Sequence, residues 1–287
     1  MTVADRIRPR GTVSDAPLSF LSPLLAQGRP LVMGVLNVTP DSFSDGGRFL
    51  DPAKALDQAK RMIAEGADVI DVGAESTRPY GGAVPVSAED ELARLAPIFD
   101  RVVGLGVPVS IDTLKPEVAA WALDRGAAMI NDVWGLQRDA GLATLAAKRQ
   151  VPVVVMHNRD KADPAIDILA DIDSFFRRSL AVAERAHIAR ERIVLDPGIG
   201  FGKTPEQSMT AIAQLARFKC FGLPLLVGAS RKRFISAVTP SEPDQRLGGS
   251  LAAHLLAVEN GAAIVRVHDV AETAQALRVA AAIRGTP

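Results

Sequence analysis

The sequence predicts a parallel (β/α)8 barrel, and three observations carry that prediction. Eight short runs rich in Val, Ile and Leu recur at intervals of about 20 to 40 residues along the 287-residue chain, as fully buried parallel strands do. Helical patterns fill the intervals, and each run closes on or beside a polar residue, the position that carries chemistry in such barrels. The competing architecture, an open doubly wound sheet, lacks its signals: no GxGxxG follows the first run, and the glycines of GIGFGKT do not have P-loop spacing. A chain with 48% hydrophobic residues can fill one large core. Residues 1–30 read as an N-terminal extension and residues 31–287 as a single barrel domain.

Taken in order, the extension has a polar, turn-rich start and an apolar middle around Leu18 to Leu25, expected to lie across one end of the barrel. Leu31 to Asn37 is the first strand, followed by a polar loop that carries Phe43 and ends in Gly46 and Gly47, the composition of an active-site loop. Asp51 and Pro52 start a helix with Leu56, Ala59 and Ile63 on one face, and Gly66 stops it. Val69 to Val72 is strand two, with a second loop from Gly73 to Gly82; Ser87 and Asp90 cap the next helix. Val107 to Ile111, Ala128 to Ile130 and Val151 to Met156 follow as strands, closing on Asp112, on Asn131 with Asp132, and on His157 with Asn158. Asp173 to His187 reads as an amphipathic helix, Leu223 to Val227 as strand seven before Lys232, and Ala263 to Val267 as strand eight, with Arg266 and His268 two apart.

The stretch that organises the rest is Ile193 to Thr204. Ile193, Val194 and Leu195 form a buried strand that Asp196 and Pro197 end, since proline has no N–H to donate and disfavours helix before it. Gly198, Gly200 and Gly202 permit a sharp turn and close approach to a ligand, and Thr204, Pro205 and Gln207 then supply a capping box and first-turn proline. A lone Asp-Pro would read as a turn cap. Repetition of the strand-to-acid pattern favours a ligand.

Charge excludes some functions. Lys plus Arg and Asp plus Glu both number 33, so no net field draws the chain to nucleic acid or an anionic membrane. Cys220 is the only cysteine, which rules out an internal disulfide and a thiolate metal cluster; it reads as a small buried filler on a helix. With no apolar signal region and no stretch near about 18 unbroken apolar residues, a soluble cytoplasmic protein is expected.

Barrel closure would bring Asn37, Asp71, Asp112, Asn131, His157, Asp196, Lys232, Arg266 and His268 to one mouth. Carboxylates and amides beside Lys232 suit a flat, nitrogen-rich heterocycle, because a carboxylate accepts paired N–H donors while amide and ammonium meet carbonyl and ring nitrogens. Arg266, His268 and Asn37 suit a phosphate or pyrophosphate, with a divalent cation on the Asn37 oxygen. Two of these also have a plain structural reading: Arg266 as a carboxylate partner, His268 as a surface or packing histidine. His187 and His254 are taken as structural residues within helices.

Eight motifs in order, NVTPDSFSDGG from Asn37, ESTRP from Glu75, SIDT from Ser110, NDV from Asn131, MHN from Met156, DPGIGFGKT from Asp196, GASRK from Gly228 and RVHDV from Arg266, resemble the dihydropteroate synthase family over about residues 31 to 285. The resemblance implies a (β/α)8 homodimer that uses Mg2+ and joins 6-hydroxymethyl-7,8-dihydropterin pyrophosphate to p-aminobenzoate, with sulfonamides as inhibitors. It further implies that Asp112, Asn131, Met156, Asp196, Lys232 and Arg266 bind pterin, with Asp112, Lys232 and Arg266 catalytic. Asn37, Thr77, Arg78, Arg266 and His268 would bind pyrophosphate, Asn37 the metal, and Phe43, Pro79 and Arg233 the amine. Two departures are local: Tyr80 to Pro85 lengthen the second loop, and Asn158-Arg159-Asp160 stand where the family often has another Met and Gln. Other classes predict other marks. A barrel aldolase would use Lys232 as a Schiff base, a pterin-binding methyltransferase module has no use for the SRK and RVH motifs together, and a non-catalytic paralogue would have lost a ligand residue.

Overall fold

A computed structural model describes residues 20–39, 51–75 and 86–285. Within them eight strands form a closed parallel barrel in sequence order, β1 (Leu31–Asn37), β2 (Val69–Gly73), β3 (Val109–Asp112), β4 (Met129–Asp132), β5 (Val153–Met156), β6 (Ile193–Asp196), β7 (Leu225–Val227) and β8 (Ala262–Val267). Closure runs through β1 and β8, with Leu31 opposite Ile264 and Met33 opposite Arg266. The fold class is the one the sequence predicts.

Three strands start two residues later than their apolar runs, for a common reason. Pro108, Pro152 and Pro224 stand just before β3, β5 and β7, and having no N–H they cannot open the ladder. Their carbonyls still accept, from Ile70 at 3.1 Å, Ile130 at 3.0 Å and Leu195 at 2.9 Å. The helices follow their caps. Asp51 caps Pro52–Glu65 and Gly66 ends it at φ 108°, while Ser87 caps Ala88–Leu95 by accepting from Asp90 N–H. The expected capping box of Thr204 and Gln207 forms on Pro205–Ala213.

Strand alternation divides the apolar residues into two layers. One face packs on the surrounding helices; the other fills the barrel with Leu31, Met33, Val69, Met129, Val154, Val194, Leu226 and Ile264, joined by Leu21 from the helix Leu21–Leu25. Because side chains alternate along a strand, positions two further on share that inward face. Those positions are Asp71, Asn131, Met156, Asp196 and Arg266, with Asp112 likewise at the end of β3. An apolar floor therefore supports a polar layer at the carboxyl ends.

Three expectations need correction. The amphipathic helix is Ile168–Arg185, starting earlier than Asp173 because Asp167 accepts from Leu169 and Ala170 N–H and so caps it. His187 lies beyond that helix, in a turn at φ 62°. Cys220 is exposed on a 3-10 turn rather than buried; a single small residue gives no periodicity from which its side could be read.

Candidate active site

Arg266 is the hub of the mouth. Its Nε donates to Asp71 Oδ2 at 2.6 Å and its Nη2 to Asp112 Oδ2 at 2.7 Å, so the guanidinium spans β2 and β3 from β8. Asn131 Nδ2 donates to the same Asp71 oxygen at 3.0 Å. Asp71 is thus the least exposed acid of the group and the one most tied to protein. Its strand-end position places it at the mouth from sequence, but only the fold reveals that it holds Arg266 and Asn131. Asp71 Oδ1, Asp112 Oδ1 and Ser110 Oγ are buried and have no hydrogen-bond partner among the described residues. Buried polar atoms are normally satisfied, so these acceptors suit a ligand rich in N–H groups or ordered water.

The opposite wall is the turn after β6. Asp196 Oδ1 accepts from Gly198 N–H at 2.7 Å. Gly198 has φ 65°, and a Cβ there would sit 1.9 Å from His157 O, so both conformation and space require glycine. Lys232 reaches across from the β7 loop, donating to Ile199 O with its ammonium 4.4 Å from the Phe201 ring centroid. Met156, Phe201 and Val133 form one apolar cluster beside it. Polar edge groups around an apolar wall make a slot for a flat polar ring.

Burial sets the charge states. It pushes the Asp112 carboxyl up to about 7, against the pull of Arg266 and with help from Asp71, Glu91 and Asp132. Asp196 is also raised by burial, opposed by Lys232, Gly198 N–H, Lys203 and Arg266. For Arg266 burial works against the charge, yet Asp71 and Asp112 outweigh it and keep the guanidinium charged.

Asp112, Asn131, Met156, Asp196, Lys232 and Arg266 all lie at the carboxyl-end mouth of the barrel. Half-buried Asn37 ends β1, and His268, just past β8, contacts Ser230 Oγ through Nδ1 at 3.0 Å. Arg233 is exposed at the start of Arg233–Val238. Phe43, Thr77, Arg78 and Pro79 lie outside the described residues. His157 does not converge. One residue past Met156, it has the opposite parity and turns outward, where its ring meets Phe175 edge-on and its Nε2 lies 3.0 Å from Asp171 Oδ2.

The chain is similar to known proteins in sequence and fold. Residues 33–268 match the family described as pterin binding enzyme. The dihydropteroate synthase of Bacillus subtilis is 45% identical over 255 residues, covering 88% of each chain. Among solved structures, the Xanthomonas albilineans dihydropteroate synthase with 4-aminobenzoic acid is 45% identical with a TM-score of 0.85, covering 90% of this chain and 94% of that one. The Yersinia pestis dihydropteroate synthase in a sulfonamide drug complex is 42% identical with a TM-score of 0.84, covering 90% and 96%.

Proposed function

Since the chain belongs to the pterin-binding enzyme family and is a dihydropteroate synthase, condensing 6-hydroxymethyl-7,8-dihydropterin pyrophosphate with p-aminobenzoate, we propose how its mouth divides that work. The observation that carries the assignment is the Arg266 bridge, which leaves each of two buried carboxylates with one oxygen unpartnered among the described residues, across the mouth from Asp196. Asp196 accepts the paired N–H donors of the aminopyrimidine edge. Asn131 and Lys232 meet the carbonyl and ring nitrogens, and Met156 packs on the ring.

In the reaction the C–O bond of the hydroxymethyl group breaks and its electron pair leaves with pyrophosphate. The lone pair of the neutral aniline forms the new C–N bond, and its proton passes to solvent. Charge shifts from the pterin methylene to the leaving group, so Arg266, His268 and Asn37 bind pyrophosphate while ionised Asp112 offsets the cation developing on the pterin. Arg266 spans both halves, and its plane can stack on the pterin. Thr77, Arg78, Phe43, Pro79 and Arg233 are assigned to the pyrophosphate and amine sides by motif.

Magnesium fits only as a partner of the substrate. No group of three or more His, Cys, Asp or Glu side chains that could hold a metal exists among the described residues, and the Asn37 amide oxygen is one hard neutral donor. Such a cation keeps several waters and binds mainly through substrate phosphates; it would neutralise charge on the leaving pyrophosphate. The working form is proposed to be a cytoplasmic homodimer, and sulfonamides are proposed to occupy the amine site. Among the described residues no helix is long and apolar enough to cross a membrane. Pyrophosphate release should require both substrates, and a sulfonamide should inhibit it competitively with p-aminobenzoate. Release with the pterin substrate alone, at the full rate, would refute the division of the mouth.

A further inference from the structure

Behind the β6 turn lies a buried cation that the proposed chemistry does not use. Lys203 is 2% exposed, and its ammonium contacts Gly198 O at 2.8 Å, Phe201 O at 3.1 Å and His157 Nδ1 at 2.6 Å. The three acceptors match the three N–H donors of a charged lysine. The His157 tautomer favours the charged lysine. Asp171 Oδ2, 3.0 Å from His157 Nε2 and also accepting from Arg159 at 2.8 Å, requires a proton on Nε2, which leaves Nδ1 as an acceptor. A neutral amine, with two N–H groups, would turn its lone pair toward one of these three acceptors. Burial lowers the Lys203 pKa well below the ordinary lysine value, with Asp196 and Asp171 opposing and Lys232 and Arg159 adding to the effect; the three acceptors are what hold a proton on it. Burial first, then Lys203, keeps His157 uncharged, down to about 4.

What this cation grips is the pterin wall. Gly198 supplies the N–H that Asp196 accepts, Ile199 supplies the carbonyl that Lys232 donates to, and Phe201 supplies the ring beneath the Lys232 ammonium. The carbonyls of Gly198 and Phe201 flank that segment, so one side chain ties both of its ends. We propose that Lys203 is a positioning residue for the dihydropterin slot, holding the 198–201 turn so that Asp196 and Lys232 face one ring, with Arg159, Asp171 and His157 as its strut to the helix Ile168–Arg185. The role rests on the pterin assignment above.

Calorimetry with 6-hydroxymethyl-7,8-dihydropterin between pH 5 and 8 tests it, on the wild type, Lys203→Met and Asp171→Ala, each checked by thermal melt. Charged groups facing Asp196 are Lys232, Arg266 and Lys203, so removing Lys203 charge should raise the Asp196 pKa further. Lys203→Met should bind about tenfold more weakly near neutral pH, with the acidic limb of the affinity profile moved to higher pH. Asp171→Ala, which is away from the slot and leaves Lys203 with less support for its charge, should show a smaller loss with a smaller displacement in the same direction. A wild type that binds no pterin would overturn the functional assignment and this role with it. Wild-type binding with unchanged affinity in Lys203→Met, or a loss equal at every pH, would overturn the positioning role alone. If Lys203→Met does not fold, an unaltered profile in Asp171→Ala overturns it.

Discussion

Asp112→Asn should make the enzyme more stable and inactive, and the gain should depend on pH. In the folded chain burial raises this carboxyl from its ordinary 3.8 to about 7, a displacement equivalent to about 4 kcal/mol. The sign follows from proton binding. Between these two values the folded state holds a proton that the unfolded state has lost, so stability falls as pH rises from about 4, and the whole penalty is present above about 7. An amide has no charge to desolvate and its oxygen can still accept from Arg266 Nη2, so the variant escapes the penalty. Urea unfolding at pH 4.5, 6 and 8 should show the difference between variant and wild type growing by roughly 2 to 4 kcal/mol. Taking the difference cancels the carboxyls that do not interact with Asp112, while Asp132, which acts on it and which burial raises to about 6, adds to the same trend. Turnover should be lost at every pH, since no carboxylate remains to offset the developing cation. A difference that is flat with pH would show that Asp112 is not held up by burial, and would remove the electrostatic argument for its role.

Other substitutions separate the parts of the site. Gly198→Ala places a Cβ 1.9 Å from His157 O at φ 65° and should cost about 3 kcal/mol or more, with loss of pterin affinity; a melt within two or three degrees of wild type would contradict the packing described. Arg266→Ala strands the buried carboxylates of Asp71 and Asp112, so a loss of roughly 3 to 5 kcal/mol is expected at pH 8, partly relieved at pH 5. His268→Ala leaves the Arg266 bridge to Asp71 and Asp112 in place and should slow pyrophosphate release while sparing binding of a non-phosphorylated pterin; equal loss for both ligands would place His268 in the pterin slot. p-Aminobenzoate should bind weakly alone and more tightly with pyrophosphate and pterin present, as calorimetry can show, because two Gly-, Pro- and Ser-rich sequences, Thr39 to Gly47 and Ser76 to Gly82, offer little apolar surface to form its site unaided.

The sequence made the barrel legible because its strands are buried on both faces, so their apolar runs need no alternation to be recognised, and because caps such as Thr204 with Gln207 mark where helices begin. The polar residue closing each strand was equally visible. What it could not supply was side-chain direction one residue past a strand end. Met156 and His157 are neighbours in one motif, yet the first faces the slot and the second turns to Asp171 and Lys203. Nor does a run of residues reveal pairing across 195 positions: Asp71 and Arg266 meet only because the barrel closes. Lys203 reads as one more polar residue in a glycine loop until its burial is known.

Pterin recognition turns on Asp196, which, fixed by the β6 turn, accepts the paired N–H donors of the ring. Calorimetric titration of Asp196→Asn with 6-hydroxymethyl-7,8-dihydropterin tests it directly, because an amide of the same shape cannot accept both bonds and presents a donor to one of them. A loss of about 2 to 5 kcal/mol in binding is predicted, in a variant that the thermal melt shows to be folded. Unchanged pterin affinity in that variant would contradict the account.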